Sequence, residues 1–350
     1  RVEPAGELEL SPGQEFAAIG NLSRIAPPAN PGEYDWQTHF ARESIFMRLS
    51  VAHWETVRPL TPANMNIFWR AKAHVRKALA SGFAGEENRA LAMALLLGDS
   101  SDVLEQAWAD FRASGTAHHL SISGTHIAIL TGFLLLIGRC AMLHPRTVLI
   151  VATVFAIGYA SLARPSPPVV RSVLLCMALA TSILLRRNTD PLQCLFVAVL
   201  LMLLYCPMDL TSPGFQLSFG AVAALMLFTR RVNAWFWSFE NEHDRIARII
   251  RPPRGIAAMW HWTARCLVQA LSAGIVAYCV SLPLVAIHFR QVNPWAIPGS
   301  ILLAPFVTTA LIAGLLKIAV CSLFASAGEL LAVPTEAATS AMRYMVGVLA

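Results

Sequence analysis

Residues 112–138 read "RASGTAHHLSISGTHIAILTGFLLLIG", in which a polar stretch leads directly into an apolar one. The first part carries three histidines among serines, threonines and glycines, and the second part is apolar apart from Thr131. An apolar run behind such a turn is typical of a membrane helix with a hydrophilic entrance. The rest of the chain decides whether that interpretation holds.

The composition predicts an integral membrane protein. Of the 350 residues, 56% are hydrophobic and 14% are charged, and the mean hydropathy is +0.55. A soluble domain carries about 25% charged residues, so this chain lacks the polar surface that a soluble protein needs. The net charge of +6 does not by itself indicate a polyanionic partner, because loop arginines also set membrane topology.

Long apolar runs dominate the chain from residue 117 onward. Hydropathy places spans near 118–137, 147–163, 169–185, 191–206, 215–229, 266–289 and 299–327, with another beginning near 337. A helix needs about 20 residues to cross a bilayer, so the shorter runs favour tilt or partial spanning. Pro305 favours a kink or a break in the longest run. The predicted fold is mainly α, a polytopic transmembrane helical bundle of about seven to eight spans.

The loop arginines predict the orientation of this bundle. With the N-terminal region outside, the inner loops carry Arg139, Arg146, Arg186, Arg187 and the arginines of 230–265. The outer side then holds Arg164, Arg290 and, one turn inside a span, Arg171. We therefore expect a multi-pass protein of the cytoplasmic (inner) membrane with an extracytoplasmic N-terminal region.

The sequence before residue 117 predicts two further parts. Residues 1–60 are rich in Pro and Gly, and "ELEL" and "EFAAIGNLSRI" predict short strands of a small N-terminal β segment. Residues 61–116 predict soluble or interfacial helices. The first of these is basic and amphipathic, which is equally compatible with a membrane surface and with packing on a neighbour. Residues 117–350 form the transmembrane domain.

The cysteines and the chain ends add three expectations. None of the seven cysteines forms a C-x-x-C pair, so neither a disulfide framework nor a zinc site is expected. No feature predicts a cofactor. The start at Arg1 and the end within an apolar run, "MVGVLA", are typical of a piece of a longer protein.

The polar turn supplies the first candidate site residues, His119, Ser121, Ser123, Gly124 and His126. On a helix, His119 and His126 would lie about 10 Å apart, too far to share one metal ion. Ser123 has helical spacing to both histidines, but "SISG" lacks the first glycine of the G-x-S-G pattern of rhomboid-type intramembrane proteases. A polar lining for a cavity or pathway, or close helix packing alone, also fits these residues.

Two other clusters favour a polar interior. Arg164 and Arg171 flank "PSPPVV", and an arginine inside a span is a functional candidate by default. Snorkelling to the interface would equally explain Arg171. Gln216 and Ser218 open the span that begins at "SPGFQLSFGAVAALML", where helix packing is the simpler explanation.

These residues also carry a resemblance to a known family. The run "ALLLGDSSDVLEQAWADFRASGTAHHLSISGTHIAILTG" resembles the signature of the ComEC family, the DNA-internalisation channel of bacterial competence. "NPGEYDWQTHFARESI" is similar to the end of that family's OB-fold domain. "PSPPVVRSVLLCMALATSILLRRNTDPLQ", "CPMDLTSPGFQLSFGAVAALMLF" and "SLPLVAIHFRQVNPWAIPGSILLAPFV" resemble its later membrane segments in order. The family usually has Leu-His where Thr125-His126 stands, so His126 matches the motif and Thr125 departs from it.

The resemblance implies uptake of single-stranded DNA across the cytoplasmic membrane, with an OB-fold outside. For such a path, we predict that the residues that line it or guide the strand are His119, Ser121, Ser123, Gly124, His126, Arg164, Arg171, Gln216 and Ser218. Many members carry a metallo-β-lactamase-like domain, but no H-x-H-x-D-H run occurs here, so no nuclease is predicted for this chain. No G-x-x-x-x-G-K-[ST] motif occurs either, which implies a separate ATP-driven motor among other competence proteins. Whether the chain forms a homo-oligomer stays open.

Two alternatives remain at this point. A permease for a small or lipid-like solute would change solute flux in vesicles and bind no single-stranded DNA. An intramembrane serine hydrolase would be labelled at Ser123 by a serine-reactive probe, and Ser123→Ala would abolish that labelling. We expect no enzymatic activity, no catalytic residue and no metal ligand in this chain.

The DNA pathway hypothesis predicts that His126→Ala and Arg171→Ala impair DNA uptake while protein abundance stays normal. Both side chains are polar groups in an apolar bundle, where polar groups are kept for function more often than for stability. Transformation frequency, with immunoblotting for abundance, measures the effect. Normal transformation of both variants would remove these residues from the pathway.

Overall fold

The computed structural model describes residues 14–30, 36–42, 45–53, 56–60, 66–163, 167–186, 190–238, 255–290 and 292–350. The chain divides into two compact units, Arg1–Val75 and Arg76–Ala350. Among the described residues, every strand belongs to the first unit and nearly all helices belong to the second. The mainly helical class predicted from the composition is confirmed.

The first unit contains two small antiparallel sheets. Strand β1 (Phe16–Ala17) pairs with β4 (Arg58–Pro59), and β2 (Asn21–Arg24) pairs with β3 (Met47–Ser50). Helix α1 (Trp36–Arg42) lies between β2 and β3 in the sequence. The predicted run "EFAAIGNLSRI" contains β1 and β2, whereas "ELEL" lies outside the described residues. A small β segment is therefore confirmed, but an OB-fold, which is a five-stranded barrel, stays a prediction.

The second unit is helical. Helix α2 (Ile67–Ala80) begins in the first unit and ends in the second. The helices that follow are α3 (Glu86–Leu97), α4 (Glu105–Ala113), α5 (Gly124–Cys140), α6 (Pro145–Leu162), α7 (Pro167–Leu184), α8 (Pro191–Tyr205), α9 (Pro213–Ser238), α10 (Ile256–Phe289), α11 (Ala296–Leu323), α12 (Ala325–Leu330) and α13 (Ala332–Leu349). Short 3-10 helices at Ala117–His119 and Pro207–Thr211 precede α5 and α9.

Three of the described helices, α6, α10 and α11, are long and apolar enough to cross a membrane. The apolar helices over Gly124–Cys140, Pro168–Leu184 and Pro191–Tyr205 are shorter. The count of about seven to eight spans therefore stays a prediction.

The helix boundaries differ from the predicted spans at several points. Helix α9 extends to Ser238 and α10 begins at Ile256, so both are longer than the apolar runs inside them. Helix α11 continues through Pro305, and the chain breaks at Phe324 instead. Hydropathy detects the apolar part of a helix, whereas the helix itself ends where capping and chain direction change.

Proline and side-chain caps explain where two of these helices begin. Helices α6 and α8 start at Pro145 and Pro191, a position where the missing N–H costs nothing. The ring nitrogen Nδ1 of His144 accepts a hydrogen bond from the N–H of Arg146 at 3.3 Å. The carboxylate of Asp190 accepts one from the N–H of Leu192 at 3.0 Å. Each cap satisfies a donor that has no partner within its helix.

Side-chain packing joins the helices of the second unit. Helix α10 packs along α9, α11 packs against α13 and α5, and α7 contacts α5, α6, α8 and α9. A cluster of buried apolar residues lies between α8 and α9, formed by Leu195, Ala198, Met202, Phe215 and Phe219. These contacts bring the start of α5 next to α7.

Helix α3 is almost entirely buried, although it is only 12 residues long. It contacts α11 and α13, and the hydroxyl of Tyr159 on α6 donates to the carbonyl of Leu96 at 2.7 Å. Gly314 on α11 lies so close to Leu96 that an added Cβ would come within 2.6 Å of its side chain. The helix therefore forms part of the core of the second unit.

Two charged side chains hold the turn between α2 and α3. The fully buried Lys317 of α11 donates from Nζ to the carbonyl of Leu79 at 2.6 Å and to that of Ser81. Its Nζ also lies 3.9 Å from the centroid of the Phe83 ring. The carboxylate of Glu336 on α13 accepts from the N–H of Gly85 at 3.0 Å, at the start of α3. The terminal backbone groups of both helices thus find partners on other helices.

The packing of α5 on α6 predicts opposite effects for two glycines of α5. A Cβ on Gly138 would lie 2.3 Å from a methyl group of Val148, whereas a Cβ on Gly132 would meet nothing within 4 Å. We expect Gly138→Ala to lower the free energy of unfolding by about 1–3 kcal/mol through overpacking. Gly132→Ala should raise it by up to about 1 kcal/mol through helix propensity.

Thermal unfolding of the purified variants in detergent, followed by circular dichroism, measures both effects. Equal midpoints for the two variants would contradict the close approach of α5 and α6.

Candidate functional site

The polar turn that opens α5 is held by its own histidine. The N–H of Ser123, the residue before the helix, donates to Nδ1 of His126 at 3.2 Å. The side chain of His126 is fully buried. Because Nδ1 accepts a hydrogen bond, the neutral ring carries its proton on Nε2. Among the described residues, that Nε2 has no hydrogen-bond partner.

Two more histidines lie beside His126 in the 3-10 helix before α5. The rings of His118 and His119 are 4.2 Å apart, and Nε2 of His118 lies 3.5 Å from the hydroxyl of Ser300 on α11. Nε2 of His119 is enclosed and has no partner within the described part of the chain. His119 also lies near His126.

The serines of the turn bond to groups other than the histidine rings. The hydroxyl of Ser121 donates to the carbonyl of His118 at 3.1 Å, and that of Ser123 lies 2.5 Å from the hydroxyl of Thr125. A serine hydrolase needs a hydroxyl-to-base contact, and these bonds do not supply one. The described residues also contain no group of three or more His, Cys, Asp or Glu side chains placed to hold a metal ion.

Arg171 on α7 lies against the polar turn at Gly124. An added Cβ on Gly124 would lie 2.8 Å from Nη2 of Arg171 and 2.5 Å from the hydroxyl of Ser172. The guanidinium also lies 5.5 Å from the centroid of the Phe219 ring on α9. Arg171 is only 5% exposed, so protein encloses it and it does not extend to a lipid interface. Its Nε and Nη1 have no hydrogen-bond partner in the described residues.

The remaining predicted site residues are Gln216, Ser218 and Arg164. Gln216 donates from Nε2 to the carbonyl of Leu210, and its Oε1 lies 3.0 Å from Nε2 of His288 on α10. The hydroxyl of Ser218 is buried and has no partner among the described residues. Arg164 lies outside the described residues. The structure therefore brings together the α5 turn and Arg171, while Gln216 links α9 to α10.

Sequence reasoning missed several residues of this region, namely His118, Ser172, Phe219, His288 and Ser300. His118 stood beside a predicted residue, and Ser172 stood beside Arg171. Phe219 and Ser300 gave no signal, because an aromatic or a serine in an apolar helix is ordinary. Only tertiary packing shows which of them face the turn.

A comparison with protein-family models identifies the family of this chain. The model described as "Competence protein" matches residues 95–350, a range that contains the α5 turn, Arg171 and all three candidate membrane helices. The chain belongs to the competence protein family. This confirms the resemblance to the ComEC family that the sequence motifs carried. No solved structure matches the chain.

Three relatives are similar to this competence-family chain. ComE operon protein 3 of Bacillus subtilis is 24% identical over 94% of the chain and 39% of the relative. Recombination protein 2 of Haemophilus influenzae is 26% identical over 59% of the chain and 29% of the relative. Competence protein ComA of Neisseria gonorrhoeae is 31% identical over 59% of the chain and 28% of the relative. The chain thus spans less than two fifths of the length of these relatives.

The cap at the start of α5 predicts how His126 variants affect stability. His126→Ala removes the acceptor of the Ser123 N–H and should lower the free energy of unfolding by about 1 kcal/mol or more. His126→Gln places a carbonyl oxygen at the same helix position, as in a capping box, and should recover most of that loss.

Thermal unfolding of the purified proteins in detergent compares the two variants with the wild type. If His126→Gln were as unstable as His126→Ala, the hydrogen bond to Ser123 would not be the stabilising contact.

Proposed function

We propose that this chain forms the membrane part of a machine that takes up single-stranded DNA during natural transformation, with the strand passing through the helical unit as through a channel. Membership of the competence protein family supports this role. The name of one relative, Competence protein ComA, points to the same process.

The observation that carries the proposal is the enclosed polar turn at the start of α5. In a bundle of apolar helices, irregular backbone is tolerated only where protein surrounds it or where it lines a water-filled cavity. The turn is capped by His126, which is fully buried and whose Nε2 has no partner in the described chain. An unmet donor in an apolar surrounding is costly, so a solvated or ligand-filled path beside His126 explains its presence.

The shorter apolar helices complete the proposed bundle. Helices α5, α7, α8 and α9 cross or partly cross the membrane with α6, α10 and α11, as tilted or short segments can. The positive-inside rule places the first unit and the α5 turn outside the cytoplasmic membrane. Residues 230–265, with their arginines, lie inside.

The partners follow from this role. An OB-fold in the first unit would bind the strand through stacking and a basic groove, and an exposed cation such as Arg70 suits such contacts. The sequence contains no G-x-x-x-x-G-K-[ST] motif, so the proposal assigns ATP hydrolysis to a separate motor protein. The chain itself performs no catalysis in this proposal.

Deletion of the gene in its host tests the proposal directly. We expect cells to bind labelled DNA at their surface but to accumulate no nuclease-protected label and to yield no transformants. The wild-type gene should restore both. Normal protected uptake in the deletion strain, measured against a strain with the gene restored, would contradict the proposal.

A matched pair of histidines tests the polar turn within the same assay. His126 and His144 both accept a backbone N–H through Nδ1 at the start of a helix, but His144 is exposed and lies at the other end of α5. We expect His126→Ala to reduce protected DNA strongly at normal abundance, and His144→Ala to leave it unchanged. Equal losses from both variants would trace the effect to helix capping and remove the turn from the path.

A further inference from the structure

We propose that Arg171 and the first turn of α5 form a binding site for one phosphodiester group; the choice of ligand rests on the function proposed above. The site lies where α5, α7 and α9 meet, around the guanidinium of Arg171. Three independent features of the described residues lead to this assignment.

The first feature is an unpaired buried charge. Arg171 is 5% exposed, and its Nε and Nη1 donate to no group of the described residues. An arginine does not relieve such burial by losing its proton. Burial of a charge without a partner is strongly unfavourable, so such groups are paired in native proteins. We therefore expect the guanidinium to bind a partner of opposite charge.

The second feature is the position of the guanidinium at a helix N-terminus. Its Nη2 lies beside Gly124, the first residue of the 17-residue helix α5. The first N–H groups of a helix have no acceptor within the helix, and this end carries partial positive charge. A cation placed here adds to that positive potential. The guanidinium of Arg171 and the N-terminus of α5 are both positive, and no acidic side chain is among their contacts in the described chain. This arrangement favours the binding of an anion.

The third feature is the shape of the site. The backbone of Gly124 lies directly against α7, where a side chain would not fit: an added Cβ would lie 2.5 Å from the hydroxyl of Ser172 and 2.8 Å from Nη2 of Arg171. Phe219 lies on the guanidinium at 5.5 Å from the ring centroid. A guanidinium offers two planar forks of donors, Nε with Nη2 and Nη1 with Nη2, and each matches two oxygens of one phosphate; helix N-termini favour the same group. A DNA strand presents one phosphodiester per nucleotide.

Oligonucleotide binding tests the site in the protein reconstituted in nanodiscs of zwitterionic lipid. The probe is a fluorescent single-stranded oligothymidylate, compared with the same oligomer carrying an uncharged methylphosphonate backbone. We expect Arg171→Met to weaken binding of the charged probe about tenfold or more, and binding of the uncharged probe much less. Arg139→Met, which removes an exposed arginine at the other end of α5, should change neither.

Arg171→Lys keeps the experiment decisive if Arg171→Met fails to fold. The lysine keeps the charge but loses the planar fork, so we expect an affinity between those of the wild type and Arg171→Met. Wild-type affinity in both folded variants, with wild-type lipid content, would overturn the assignment.

A phospholipid headgroup carries the same phosphodiester, so lipid retention is measured in parallel. The wild type and Arg171→Met are purified in maltoside detergent, and bound phospholipid is quantified by mass spectrometry. Phospholipid lost only from Arg171→Met, with unchanged oligonucleotide binding, would support the phosphodiester site and assign it to lipid. Failure of the wild-type protein to bind any oligonucleotide would count against the proposed function, whereas the lipid measurement would still test the site.

Discussion

The second unit depends on one constraint: a polar group inside an apolar helical bundle has no bulk water to bond with, so protein must supply its partner. Lys317 meets this constraint by donating to the carbonyls of Leu79 and Ser81 at the end of α2. Glu336 meets it by accepting from the start of α3. Both bonds replace water that the turn would otherwise need, and both fix α3 among the longer helices.

Several polar groups at the start of α5 do not meet this constraint within the described residues. His126 uses Nδ1 to cap the helix and leaves Nε2 without a partner, and Arg171 leaves Nε and Nη1 without one. Both side chains contact the same turn, since Arg171 lies against Gly124 and His126 accepts from the N–H of Ser123. Unmet donors of α5 and α7 thus lie at this turn, although others, such as the hydroxyl of Ser218, lie elsewhere. A path or a ligand at that turn accounts for both side chains at once.

Much of this could be predicted from the sequence, because the strongest signals are local. The apolar runs predicted the helical class, and the ordered motifs predicted the family that residues 95–350 match. The lone Arg171 in an apolar run marked a candidate site residue, and the His126 position came from its motif. Lys317 had a similar signal, a single cation within a 28-residue apolar helix, but no role for it was predicted from the sequence.

Other features depend on tertiary contacts that no local pattern carries. The sequence predicts soluble or interfacial helices over residues 61–116, and it gives no sign that α11, α13 and Tyr159 enclose α3. The contact of Phe219 with Arg171 joins residues on different helices, and apolar periodicity does not specify which helices are neighbours. Hydropathy also misplaced the ends of α9, α10 and α11, since helices extend beyond their apolar segments.

Cysteine accessibility at the junction of α5 and α7 tests the central claim most directly. In a background without the seven native cysteines, Ser172→Cys places a thiol beside Gly124, and Val154→Cys places one on the exposed face of α6. If the turn lines a wet path for DNA, a water-soluble thiol reagent modifies Cys at position 172, single-stranded DNA slows that reaction, and position 154 stays unreactive in lipid. An unreactive position 172, or modification at 172 that DNA does not change, would contradict the account.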